Sequence, residues 1–275
     1  MAHEPDPFEH VLDSPSIDLF PSMFGKPAEI PLPTVFGLQI TRFMVFELVV
    51  AALIMAIFIP LCRKAATGQL PRGAWWNAFE SLLTFVRDKI ARPNLGEHEA
   101  DKYVPYLWTL FLFVLFCNLL GMIPLFGSPT ASVSVTAGLA LISFVMMHAA
   151  AIVKMGPGHY LKSLWPHIDV PYVGVVFSGF IFLIELGGTV IKSFVLAVRL
   201  FANMFAGHLV LAMILTFIFT VGQLGSLWLW GTVTVASVLG QVALSLLELF
   251  VAFLQAYVFV FLTSLFIGMS LHPQH

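Results

Sequence analysis

Charge is the scarcest feature of this chain. Only 10% of its 275 residues carry a charged side chain, while 59% are hydrophobic and the mean hydropathy is +0.93. A soluble domain holds about 25% charged residues, and a core built for this apolar fraction would leave too little polar surface to meet water. An ordinary soluble fold is therefore excluded, and lipid is the expected solvent. The net charge of −2 offers no basic surface for nucleic acid or another polyanion. Cysteine is nearly missing. Cys62 and Cys117 lie in or beside apolar runs, suggest no disulfide framework, and are expected to be buried thiols acting as small hydrophobes. No Gly-rich phosphate cradle occurs, which argues against direct nucleotide binding. His159, His167, His272 and His275 show no metal-ligand spacing, so neither a metal nor a cofactor is expected.

What the chain has instead is long apolar runs. Its opening stretch, "MAHEPDPFEHVLDSPSIDLFPS", is acidic and proline-rich, without the basic and apolar regions of a secretory signal. Residues 1–42 are expected to form a hydrophilic tail with little regular structure. The run "FMVFELVVAALIMAIFIPL", 43–61, is long enough to cross ~30 Å of hydrocarbon. Residues 74–102 are charge-rich, and "NAFESLLTFVRDKI" alternates apolar and polar faces at helical spacing, as a helix lying at the interface does. A second span is expected from about Tyr103 to Leu125 and a third from about Ala131 to Val153. "KMGPGHYLKSLWPHIDVP" then reads as a loop punctuated by glycine and proline.

Proline is absent from 172 to 272, and charge nearly so. This stretch suits either four upright spans or two very long helices. The clearest turn signal is "GQLGS", 222–226, which favours two helices. They must tilt steeply, because ~60 Å of helix cannot stand upright in a ~30 Å core. The expectation is thus an all-α polytopic membrane protein forming a single membrane domain over 1–275. It has five spans and an interfacial amphipathic helix. Its segments are a tail (1–42), a first span with the amphipathic segment (43–102), two further spans (103–153), a loop (154–172) and a long hairpin (173–270). Lys26 and Arg42 precede the first span, whereas seven Lys and Arg follow it between Cys62 and Lys102, and Lys154 and Lys162 follow the third. The positive-inside rule puts both of these loops and the C-terminus in the cytoplasm, and the N-terminal tail outside.

Against this background the few polar residues of the hairpin stand out. Glu185, Lys192 and Arg199 are spaced by seven and share one helical stripe that drifts only ~20° per step. Asn203 follows one turn later. Gln241, Glu248 and Gln255 form a second stripe. In an antiparallel hairpin, pairing Arg199 with Gln255 and His208 with Glu248 puts the turn centre near 227 or 228, beside the turn chosen on other grounds. Arg199 cannot shed its charge, and placing it at hydrocarbon depth costs between ~3 and ~15 kcal/mol. Titratable groups flank it on both sides. A permanent cation there repels a passing proton but attracts a mobile carboxylate, which suggests two aqueous half-pathways kept apart by an electrostatic barrier.

"KSFVLAVRLFANMFAGH" and "LELFVAFLQAYVFVFLTSLF", with "NLLGMIP" and "GPGHYLKSLWPHI", resemble subunit a of F-type ATP synthases over about Phe43 to Met269. The resemblance implies a stator facing a rotating c-ring, with peripheral-stalk b subunits and an F1 head in the same complex, in a bacterial plasma membrane. Arg199 would then interact with the ring carboxylate, beside Gln255 and Asn203. His208 and Glu248 match an access-channel pair in which some members place acid and histidine the other way round. Glu185 and Lys192 match polar positions toward the opposite side. Asn118 matches a channel-lining asparagine, and Gly121 stands where many members carry an acid.

Plainer readings are open for several of these residues. Glu47 reaches the outer headgroups or meets a partner subunit. Lys192 snorkels, or lines a pathway, and Glu185 is an interfacial acid or a lining one. Gln241 makes a helix-packing hydrogen bond or serves as a channel ligand. A secondary transporter would also carry intramembrane charge, but around proline- and glycine-broken helices, which the proline-free hairpin does not supply. A structural scaffold would have no use for an arginine at depth.

Overall fold

The computed structural model describes residues 14, 16–18, 29–35, 38–66, 73–123, 128–163, 174–223 and 226–271. Helix dominates. In chain order the helices are α1 (Arg42–Ala66), α2 (Ala74–Phe85), α3 (Arg92–Leu95), α4 (Glu97–Gly121), α5 (Val133–Met155), α6 (Pro157–Ser163), α7 (Gly174–Gly222) and α8 (Leu227–Leu271). Five of them, α1, α4, α5, α7 and α8, are long and apolar enough to cross a membrane. The protein is polytopic and its membrane-spanning part all-α, as its composition requires: in lipid every backbone polar group must be satisfied within the segment, and a helix does that. The apolar stretches of α7 and α8 run 45 and 44 residues, far longer than an upright crossing needs.

Several expectations need correction. The tail is not without regular structure. β1 (Ser16–Asp18) pairs antiparallel with β2 (Glu29–Pro31), and β3 (Thr34–Val35) with β4 (Leu38–Gln39). In the register of the first ladder, position 17 stands opposite position 30. The remainder of the tail lies outside the described residues. The second span starts earlier than hydropathy suggests, at Glu97, and its helix stops at Gly121. Glu97 and Glu99 occupy its first turn, where the helix dipole favours acids. The expected loop after α5 contains the short helix α6. Gly156 ends α5 with φ +79°, a conformation that suits glycine, and Pro157 opens α6 with its φ already set. Residues 164–173 of that loop, and Leu224 and Gly225 of the predicted turn, lie outside the described residues. Cys117 is buried, but Cys62 is exposed. Cys62 closes the apolar run directly before Arg63 and Lys64, at the polar end of α1, which leaves it exposed.

The chain divides into two compact units. The first comprises residues 1–63, 112–135 and 200–256; the second comprises 64–111, 136–199 and 257–275. In the first, Met204, Ala252 and Ala131 form a tight core with Leu119, Met122 and Val251 around it. Gly121 is required there. A Cβ on it would collide with the side chain of Ser128, so an acid at this position has no room.

In the second unit the amphipathic segment is anchored rather than merely floated on an interface. Its backbone widens into a π turn over Val86–Ala91, where the Arg92 N–H donates to the carbonyl of Arg87. That extra residue resets the helical phase, and Val86, Ile90, Ala91 and Leu95 turn inward while α2 stays mostly exposed. Ser264 Oγ of α8 donates to the Ile90 carbonyl at 3.4 Å, and Gly268 packs so closely against the Asn94 carbonyl that no Cβ fits. Arg87 grips Asp101 of α4 with two bonds of 2.7 and 2.8 Å.

Candidate functional site

In the first unit α7 and α8 bring together the two residues that their spacing pairs. His208 Nδ1 lies 3.6 Å from Glu248 Oε1. That separation suits an ion pair when the ring is protonated and is too long for a hydrogen bond. The side chains retain only 17% and 7% of their exposure. His208 Nε2 and Glu248 Oε1 are buried without a hydrogen-bond partner within the chain. Buried polar atoms of this kind are expensive to leave alone, and in natural proteins they mark sites where water or a ligand engages.

The neighbour of the pair was not visible in the charge pattern. A Cβ on Gly207 would lie 2.8 Å from Glu248 Oε1 and 3.3 Å from its carboxyl carbon. The carboxylate therefore rests against a bare α-carbon, and glycine sets how closely α8 approaches the His208 turn. The signal was present, since Gly207 directly precedes His208, but a glycine inside an apolar helix has many other reasons to be there.

Asn118 is engaged at both ends of its amide. Its Nδ2 donates to the Ala252 carbonyl of α8 at 3.2 Å, and its Oδ1 accepts from Thr130 Oγ1 at 2.7 Å. Thr130 in turn shares a 2.8 Å bond with Ser128. This chain of buried bonds ties α4, the turn before α5 and α8 into one polar knot. Gln255, on the second stripe of α8, is buried, whereas Gln241 is partly exposed.

Arg199, Lys192 and Glu185 belong to the second unit. Arg199 and Glu185 are partly exposed, and Lys192 is exposed with its Nζ 5.8 Å from the centroid of the Phe266 ring on α8. That distance is within cation–π reach. Asn203, in the first unit, is exposed. Arg199 and Gln255 fall in different units, so their pairing stands as an expectation. The second unit also holds hydroxyls that sequence reading passed over: Tyr106 and Ser143 lie 3.3 Å apart, and Thr263 Oγ1, which donates to the Phe259 carbonyl at 2.8 Å, lies 3.4 Å from Ser143 Oγ. Hydroxyls in apolar helices usually turn back on their own carbonyls, as Thr189, Thr216 and Thr234 do, so nothing in the sequence distinguished these three.

Comparison with known proteins gives the family of the chain. Residues 44–268 match the family described as the ATP synthase A chain. ATP synthase subunit a of Myxococcus xanthus is 41% identical over 265 residues, covering 93% of this chain and 81% of the relative. The subunit of Chloroherpeton thalassium is 35% identical over 286 residues, covering 99% and 80%. That of Anaeromyxobacter dehalogenans is 42% identical over 232 residues, and there the chain spans only 58% of the longer relative. The chain belongs to the ATP synthase A chain family.

Proposed function

We propose that this chain is the stator half of a rotary proton path: it carries protons along two offset aqueous half-channels to and from carboxylates on a rotating c-ring. Membership of the family makes it a multi-pass membrane subunit of an ATP synthase involved in proton translocation. The finer reading rests on the buried acid–imidazole pair of His208 and Glu248, held on adjoining helices with unpartnered polar atoms. A proton enters past this pair from the outer side and neutralises a ring carboxylate, which then passes into lipid. On the far side of Arg199 the carboxyl meets a permanent cation that favours its ionised form, and the proton leaves past Glu185 and Lys192. Arg199 also blocks a direct leak, since a proton is repelled by a charge that cannot be neutralised. Gln255 and Asn203 help to solvate the guanidinium. The c-ring, peripheral-stalk b subunits and the F1 head are the partners, in a bacterial plasma membrane, with the N-terminus outside and the C-terminus in the cytoplasm.

Arg199→Ala tests the reading. Coupled proton transport and ATP synthesis are expected to be lost, and Arg199→Lys to fail or work poorly because lysine lacks the planar fork. Normal ATP synthesis in membranes carrying Arg199→Ala, at normal levels of assembled complex, would overturn it.

A further inference from the structure

We infer that His148 is a proton-relay residue, working with Tyr160 and Glu185 in the half-channel on the α5–α6 side; the inference deepens the proton-path reading and rests on it. The three residues come from successive helices of the second unit, His148 from α5, Tyr160 from α6 and Glu185 from α7.

His148 is held in one tautomer. Its Nδ1 lies 2.8 Å from the backbone carbonyl of Phe144, one turn back. A carbonyl only accepts, so Nδ1 carries the hydrogen, and in the neutral ring Nε2 is left as the basic nitrogen. The ring is also fixed in place. It packs on Phe144 with centroids 4.1 Å apart, and Tyr160 meets it edge-on at 6.0 Å and 83°. Tyr160 is only 8% exposed. Burial, and then the negative charge of Glu185, make its phenol a weaker acid than usual, so it remains a neutral hydroxyl beside the carboxylate. An imidazole with a defined basic nitrogen thus meets a neutral phenol where α6 follows Gly156, within electrostatic reach of Glu185 on α7.

Other charged groups near this end are already engaged with one another. Glu99 of α4 meets Lys102 at 3.1 Å and Lys154 of α5 at 3.9 Å. From α8 the contact is a hydroxyl, Ser270 Oγ, which donates to the Met147 carbonyl at 3.3 Å. The step is a simple proton hop. Nε2 takes a proton released from the Glu185 side, directly or through water, and returns it from the same nitrogen to water at the channel mouth. Nδ1 stays bound to the carbonyl throughout, so no ring flip is needed.

The decisive variant is His148→Asn, because an asparagine Nδ2 can reproduce the bond to the Phe144 carbonyl but cannot hold a proton. ATP-driven proton pumping in inverted vesicles, normalised to assembled complex, is expected to fall about tenfold, below the ~10²- to 10⁴-fold reach of general acid–base groups because water carries part of the flux. His148→Ala should fall likewise and be restored by added imidazole. Wild-type pumping in His148→Asn overturns the relay, as does a fall that imidazole does not restore in His148→Ala. Failure of His148→Asn to assemble also overturns it, by making His148 a packing residue. Arg199→Ala, measured in parallel, separates the two ideas. If it abolishes transport while His148→Asn is normal, the relay alone falls; if both are normal, the proton-path reading falls with it.

Discussion

At the scale of single residues, Glu248 and His208 offer the sharpest tests, because each can be altered without removing the other. Glu248→Gln keeps the volume but not the titration, and proton entry should slow while the complex still assembles. Removing His208 should impair transport less if water bridges the gap. The double exchange, His208→Glu with Glu248→His, keeps one acid and one imidazole at the same depth and should pump better than either single change. A double exchange no better than the worse single variant, measured in inverted vesicles, would separate the two residues functionally. Gly207 supplies a second test. In Gly207→Ala the new methyl displaces the Glu248 carboxylate, which lies 2.8 Å from the Cβ position. The atom displaced is the far end of a flexible side chain, so assembly should be near normal. Transport should nevertheless fall by about ten- to a hundred-fold, as misplacement of a reacting group by about 1 Å can cost. Unchanged pumping in Gly207→Ala would show that the position of the carboxylate does not matter.

At the scale of elements, α7 and α8 form an antiparallel pair whose register is read from one contact, His208 against Glu248. The helices end at Gly222 and begin again at Leu227, so the turn lies slightly ahead of the centre implied by the residue pairing. Trp230 lies against Gly222, where a Cβ would stand 3.1 Å from the indole nitrogen, and this packing sets how α8 leaves the turn. Paired cysteines at 208 and 248 should crosslink, and the same register extended along the helices predicts a crosslink between 199 and 255. Crosslinking of 199 with 241 instead would show that the register does not continue. The amphipathic segment illustrates a different point. Alternating faces identified it as helical, but the π turn at Val86–Ala91, which selects the face that docks on α8, leaves no mark in hydrophobic periodicity.

At the scale of the whole molecule, this chain leaves many large apolar side chains on α7 and α8 uncovered, among them Phe180, Phe194, Leu239 and Phe250. Lipid or partner subunits must cover them. Mild detergent extraction should therefore bring the chain out with a small two-helix ring protein and a peripheral ATPase head, detectable by native electrophoresis and mass spectrometry. Isolation as a substrate-binding homodimer without either would point to a transporter.

Composition, proline-free runs and heptad spacing were enough to establish a five-span helical membrane protein and to select its polar residues, because a bilayer admits so few ways of satisfying a backbone. The pairing of His208 with Glu248 was legible too, since two straight antiparallel helices leave only a constant-sum register. Gly207 under the carboxylate, the Asn118–Thr130–Ser128 knot, the π turn and the meeting of His148 with Tyr160 were decided by tertiary structure alone. Each depends on how closely one helix approaches another, a distance set by packing among residues far apart in the chain and absent from any local pattern.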